Sequence, residues 1–279
     1  MLAFFGTSPR SARFLKIAVE NGLKIDLVVS QEPRAVGKKQ ALTENPTVLT
    51  AKELKIDFTT SLEELNQKPL ELGLILDFNK IIPNQTINLF KMGIINVHFS
   101  KLPQYRGPAP VQYTILNGDK EAWTTYYLIN EKLDKGMILA QTSLPLDLTE
   151  NTETLYQKLI EKSATEAKNI IQNYLDSRIT PQPQSGIASN THKLTTENCQ
   201  IDWTKSPEQI ERLIRAAYPE PTAWTSVKIR PQSAKIKKMK ILKAHLENQK
   251  LVIDEVQLEG KNPVSWKQFQ QGYTSAEFF

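Results

Sequence analysis

The chain opens with short apolar blocks separated by stretches in which apolar positions recur every three or four residues. "LAFFG" is an apolar run closed by Gly6. "SPRSARFLKIAVENG" spaces Ala12, Leu15, Ile17 and Ala18 at helical period and closes on Gly22, and "KIDLVVS" is again a run of strand type. That is a β-α-β pattern. "LGLILDF" at 72–78 and "GIINVHF" at 93–99 read as further buried strands, with "NQTINLFK" as the helix between them. Parallel strands joined by crossover helices make an open α/β sheet, whose ligand sites lie beyond the carboxyl ends of the strands.

After a short helix in "APVQYTILNG", "WTTYYLIN" and "MILAQTSLPLD" read as two β-segments joined by the turn "EKLDKG", and "TLYQKLIEKSATEAKNIIQNYLD" is a long amphipathic helix. Periodicity then breaks in "SRITPQPQSGIASNTHKL", where Pro181, Pro183, Ser185 and Gly186 mark a linker. Beyond it, "SPEQIERLIRAAYPE" is a helix capped by Ser206, and "TSVKIR", "MKILKAHL" and "KLVIDEVQL" are short alternating segments of the kind that build a small β-barrel. The expected organisation is a domain over 1–178, a linker over 179–204 and a second domain over 205–279.

Composition narrows what such a chain does. At 279 residues, 40% of them hydrophobic, it can bury a sizeable core and divide into about two domains. No apolar run reaches the ~18 residues of a membrane span, and "MLAFFGTS" is short for a signal-peptide core, so neither membrane insertion nor export is expected. The single cysteine, Cys199, permits no internal disulfide and no thiolate zinc cluster, which points to a reducing, cytoplasmic setting.

The net charge of +5 is unevenly placed: residues 1–204 balance 22 basic against 22 acidic side chains, whereas residues 205–279 carry 13 against 8. Lys228, Arg230, Lys235, Lys237, Lys238, Lys240 and Lys243 follow one another without an acidic residue. A basic appendage on a neutral body suits a polyanionic partner, although a solvated face fits the same run.

The first glycine turn, "GTSPRS", is not the Gly-x-Gly-x-x-Gly of a dinucleotide site, and "EPRAVGKKQ" places Lys39 where a phosphate loop needs Ser or Thr. No Gly-x-Ser-x-Gly elbow and no paired-histidine metal spacing is present. What remains is Asn96, His98 and Asp134. On a strand, residues 96 and 98 share a face, so an amide and an imidazole point at one spot, and they precede a rigid loop bearing Pro103, Gly107, Pro108 and Pro110. With an aspartate to orient the imidazole and an amide to hold an oxyanion, the three suit addition to a carbonyl without a covalent enzyme intermediate. On spacing alone a hydrogen-bonded core histidine and a turn aspartate are the simpler reading.

"NVHFSKLPQYRGPAPVQ" followed by "LDKGMIL" resembles the signature of the folate-dependent formyltransferases. "FFGTSPRSARFL", "QEPRAVGKKQ", "KLTTENCQIDW", "IRAAYPEPTAW" and "LVIDEVQLEGKNPVSWKQF" extend the resemblance over essentially the whole chain, to the branch whose acceptor is initiator methionyl-tRNA. The resemblance implies a Rossmann-like, mainly parallel catalytic domain and a C-terminal, OB-like β-barrel domain that binds tRNA, in a monomer. It also implies 10-formyltetrahydrofolate as formyl donor and no metal. Asn96 would hold the formyl oxygen, His98 would be the acid/base, and Asp134 would orient it. Ser100, Lys101, Leu102, Pro103, Phe78 and Asn79 would line the folate site. Arg34, Lys38 and Lys39 would meet the tRNA acceptor stem, with Lys235, Lys237, Lys238 and Lys240 as further phosphate contacts.

Two positions depart from the family's pattern. Asn79 stands where relatives carry glycine, which a left-handed backbone would tolerate best among non-glycine residues, and Glu131–Lys132 makes the aspartate turn more polar. Trp203 and Trp224 read as packing anchors, His192 as a linker residue and His245 as a strand residue. Two other functions fit parts of the chain: formyl transfer to an amino sugar on a nucleotide, and tRNA binding without catalysis.

Overall fold

A computed structural model describes residues 1–36, 41–229, 236–273 and 277–278. The first run of elements is β1 (Leu2–Phe5), α1 (Pro9–Glu20), β2 (Leu27–Val29), a hairpin of β3 (Arg34–Val36) and β4 (Ala41–Thr43), α2 (Pro46–Glu53), β5 (Asp57–Thr59) and β6 (Leu72–Ile75). There follow α3 (Asn84–Ile87), β7 (Ile94–His98), α4 (Pro110–Asn117), β8 (Glu121–Leu128), β9 (Ile138–Pro145) and α5 (Thr152–Leu175). The remainder is α6 (Pro207–Ala217), β10 (Trp224–Lys228), β11 (Ile236–Glu247), β12 (Lys250–Leu258), β13 (Val264–Ser265), α7 (Trp266–Gly272) and β14 (Glu277–Phe278). The expected strands and helices are present, except that "NQTINLFK" yields only the single turn of α3.

Two compact units share the chain, each assembled from separated segments. The first comprises residues 1–107, 122–144 and 156–190. Its seven-stranded sheet runs β5-β2-β1-β6-β7-β8-β9, parallel from β5 through β7, with β8 antiparallel to β7. The strand order reverses between β1 and β6, so the crevice characteristic of such sheets opens beyond their carboxyl ends, one strand from the end of β7. Ala3, Phe5, Leu27, Val29, Ile75, Phe78 and Phe90 pack one core of this unit. Helix α1 begins at a capping box in which Ser8 and Ser11 satisfy each other's backbone N–H, an arrangement whose cap is worth about 1 kcal/mol.

The second unit comprises residues 108–121, 145–155 and 191–279. It is an antiparallel sheet in the order β13-β12-β11-β10-β14, with α6 and α7 contributing to its core beside Val227, Met239, Ile241 and Val256. Register shifts near Lys243 interrupt the long β11–β12 ladder, an irregularity of the kind that bends a strand. Ser206 caps α6 as expected, through a capping box with Gln209. Cys199 is fully buried, which pushes its thiol up to about 11 and leaves it inert. Trp203 donates to Thr225 Oγ1 and Trp224 to the Thr196 carbonyl, so both indoles anchor this unit.

The units do not divide where composition changes. Residues 179–190 belong to the first: Gln182 pairs with Ile138 in both directions, and Ser189 accepts the Tyr105 N–H on Oγ and the Arg106 N–H on its carbonyl. Proline and polar residues there deny the segment an apolar face without denying its backbone partners.

Candidate active site

Strand β7 delivers the site. Asn96 sits directly opposite Tyr127 and His98 opposite Thr125 in the antiparallel β7–β8 ladder, so these four side chains share one face of the sheet. The turn after β8 then returns Asp134 to the same place. Its backbone is left-handed, with φ of 53°, and Gly136 follows where a Cβ would come within 1.6 Å of the Leu128 carbonyl oxygen. The glycine of "LDKG" is thus required by close backbone approach. Glu131 accepts a hydrogen bond from the Asn84 side chain at 2.6 Å, tying this polar turn to α3.

Asp134 is buried, and both carboxylate oxygens are engaged. The Gly107 N–H donates to Oδ2 at 2.6 Å and the Tyr127 hydroxyl to Oδ1 at 2.7 Å. Gly107 makes this approach with φ of 109°, a conformation open to glycine. Asn96 Nδ2 donates to the Tyr127 oxygen at 3.0 Å. Burial first, and then the adjacent Asp134 charge, push the Tyr127 phenol far above its ordinary range, so it stays a neutral donor.

His98 is 7% exposed, with Nδ1 lying 3.9 Å from Asp134 Oδ2 and Nε2 3.0 Å from the Tyr105 carbonyl oxygen. A carbonyl only accepts, so this contact calls for the tautomer with its proton on Nε2, and Nδ1 faces the carboxylate side. Arg106 and Gln184 complete the frame. Arg106 Nε and Gln184 Nε2 both donate to the Asp134 carbonyl, at 3.0 and 2.9 Å, Gln184 Nε2 also reaches the Gly136 carbonyl, and Arg106 donates to Gln184 Oε1.

The loop after β7 is rigid because Thr125 holds it from below. Thr125 Oγ1 donates to the Ser100 carbonyl at 2.6 Å and accepts from the Leu102 N–H, while Gln141 Nε2 donates to the Leu102 carbonyl. Ser100 Oγ turns inward to the Gln104 carbonyl, Lys101 Nζ lies 4.1 Å over the Trp123 ring, and Leu102 is buried ahead of Pro103. The residues expected to line a folate site therefore form this loop, with one difference at its neighbour. The Phe78 ring is buried, edge-on to Phe5 in the core, and its carbonyl accepts from Thr7 Oγ1 and Gln31 Nε2. Asn79 is exposed with φ of 55°, the left-handed conformation anticipated for a residue standing in for glycine.

Of the expected phosphate contacts, four lie among the described residues. Arg34 lies in the β3–β4 hairpin, whereas Lys38, Lys39 and Lys235 fall outside the described residues. Lys238 and Lys240 stand opposite Ser226 and Trp224 on the outer face of β11, while Lys237 is paired with buried Val227 on the other face. Lys238 Nζ lies 4.0 Å over the Trp224 ring. Period-two alternation splits what looked like a run of charge. Tyr127, Arg106, Gln184 and the Gly107 N–H were not singled out from sequence. The signal available for Tyr127 was its place in "WTTYYL", on the Thr125 face of β8.

Comparisons with known proteins identify the family of the chain. Residues 1–171 match the family described as Formyl transferase, and residues 193–251 match Formyl transferase, C-terminal domain. A methionyl-tRNA formyltransferase of Thermodesulfovibrio yellowstonii is 33% identical over 255 residues, covering 88% of this chain and 81% of that protein. One from Buchnera aphidicola is 32% identical, covering 95% and 84%. The fold is also that of the solved methionyl-tRNA formyltransferase from Clostridium thermocellum, with a TM-score of 0.64 at 20% identity over 92% of this chain and 98% of that one. On the strength of these matches the chain belongs to the methionyl-tRNA formyltransferase family.

Proposed function

We propose that this chain transfers the formyl group of 10-formyltetrahydrofolate to the α-amino group of methionine on initiator tRNA. The observation that carries the reading is the meeting of half-buried Asn96 and buried His98 at the carboxyl end of β7 with buried Asp134 from the turn after β8, in a chain whose relatives over most of its length are methionyl-tRNA formyltransferases.

The reaction adds an amine to a formyl carbon and expels the folate nitrogen. Negative charge develops on the formyl oxygen, and Asn96 Nδ2 offers it a neutral donor; only one of that group's two hydrogens is committed, to Tyr127, among the described residues. One proton leaves the attacking amine and one arrives on the departing nitrogen. His98 Nδ1 is the position that exchanges it, since Nε2 is held on the Tyr105 carbonyl, and the Asp134 carboxylate beside Nδ1 stabilises the imidazolium in passing. Because an aminoacyl α-amine is substantially neutral near neutral pH, positioning and one proton shuttle suffice. The loop of residues 100–103, stiffened by Thr125, forms the rim against which the donor is placed, and the backbone around Asn79 forms its opposite wall.

The test is incubation of the purified chain with 10-formyltetrahydrofolate and a panel of acceptors: charged initiator tRNA, charged elongator tRNA and nucleotide-linked amino sugars. Formyl-methionyl-tRNA from initiator tRNA is the expected product. Formylation of an amino sugar alone, or tRNA binding without product, would overturn the assignment.

A further inference from the structure

We infer that Tyr127 is a positioning residue that fixes the orientation of the Asn96 amide from the Asp134 carboxylate. The inference rests on the formyl-transfer reading of the site.

An asparagine amide can be turned by 180° with little change in shape, exchanging a donor for an acceptor. Only the NH₂ group is useful beside an oxygen that becomes negative. The protein must therefore prevent the flip. An ionised carboxylate only accepts, so the Tyr127 hydroxyl hydrogen is committed to Asp134 Oδ1 at 2.7 Å. The phenol oxygen is then left as an acceptor, and it meets Asn96 at 3.0 Å through Nδ2. Were the amide reversed, its carbonyl oxygen would face the phenol oxygen with no hydrogen between them. The polarity of the chain from Asn96 to Tyr127 to Asp134 is thus set by the charge at its far end.

The arrangement couples the two halves of the chemistry. Asp134 faces His98 Nδ1 on one side and, through Tyr127, sets the oxyanion donor on the other. The Gly107 N–H on Oδ2 keeps the carboxylate from rotating away. Tyr127 is 2% exposed and lies directly opposite Asn96 in the ladder, so the hydroxyl has no route to water as a substitute partner. Ring packing alone would be served by phenylalanine, and the hydroxyl is what the inference concerns.

Tyr127→Phe keeps the ring and removes the relay. Removing an oxyanion donor altogether costs roughly 10²–10³ in kcat; releasing it to flip and wander should cost about tenfold, with KM for donor and for tRNA within about twofold of wild type. In the Asn96→Ala background the same change should have almost no further effect on kcat, since there is no amide left to orient. A kcat for Tyr127→Phe within twofold of wild type, or an effect that multiplies fully with Asn96→Ala, would overturn the inference. An independent check needs no variant: in the unmodified protein the Asn96 side-chain NH₂ protons should show nuclear Overhauser contacts to the Tyr127 ring, and their absence would contradict the relay. If the wild-type chain makes no formyl-methionyl-tRNA, the functional reading itself fails; if it does and Tyr127→Phe matches it, only the relay fails.

Discussion

The face of β7–β8 and the face of β11 both carry polar side chains that the sequence marks as functional, yet they are built in opposite ways. At Asp134 the polar atoms are buried and interlocked, each oxygen matched to one donor at 2.6–2.7 Å. Along β11, Lys238 and Lys240 are half-buried outward neighbours on a strand, and Lys238 rests over Trp224. The difference suits the two roles proposed for them. Stabilising a charge that exists only in a transition state needs donors fixed to fractions of an ångström, whereas attracting phosphates needs charge density and tolerates loose placement. One region should respond sharply to single-atom changes, the other gradually to lost charge.

The sharpest response is expected in the aspartate turn. Asp134→Asn offers one accepting oxygen where the Tyr127 hydroxyl and the Gly107 N–H each need one, so its NH₂ confronts a donor, and Asn96→Ala removes the oxyanion donor; each should lower kcat by ~10²–10³ while leaving tRNA affinity within a few-fold. Steady-state kinetics with equilibrium tRNA binding separates the two effects. Gly136→Ala should be next, because a Cβ 1.6 Å from the Leu128 oxygen forces the turn off β8. Thermal melting should fall by several degrees and activity by at least about tenfold, since Asp134 moves with the turn.

A smaller effect is expected on β11. Replacing Lys238 and Lys240 with Gln should raise KM for tRNA, leave the donor KM and kcat unchanged, and flatten the log–log salt dependence of tRNA binding by up to about one unit per lost phosphate contact. An unchanged slope would assign both lysines to covering apolar surface, Lys238 over Trp224 above all. The smallest effect is expected at Asn79. With φ of 55° already suited to glycine, Asn79→Gly should leave donor affinity unchanged or slightly better, measured by titration with the folate donor. A clear loss of affinity would show that the Asn79 side chain itself holds the donor.

The same two regions show why some of this was legible in the sequence. Asn96 and His98 share a face by the strict period of a strand, and the alternation "IINVHF" displays it. Asp134 is 36 residues beyond His98 and meets it because β8 returns antiparallel to β7; the strand–turn–strand reading put it on the neighbouring turn, and the resemblance separated it from an ordinary turn aspartate. Tyr127 went unnoticed because "WTTYYLIN" reads as an ordinary buried strand, and cross-strand register is a property of two segments that neither displays alone. The lysine run carries the opposite lesson. Consecutive lysines look like one patch in a linear reading, but the pleat places Lys237 with Val227 and sends Lys238 and Lys240 to the other face. In residues 179–190, composition revealed the missing apolar face, while the bonds of Gln182, Gln184 and Ser189 to carbonyls and amides of the site loops left no trace in it.

His98 is where the account is most exposed. Single-turnover formylation, with enzyme in excess over charged initiator tRNA and saturating 10-formyltetrahydrofolate, reports the chemical step alone when tRNA affinity is measured in parallel. For His98→Ala the rate constant should fall by ~10²–10⁴ with Kd for tRNA within about threefold of wild type. A variant that folds, binds tRNA and still formylates at the wild-type rate would show that His98 moves no proton in the reaction, and the catalytic assignment built on its contact with Asp134 would be wrong.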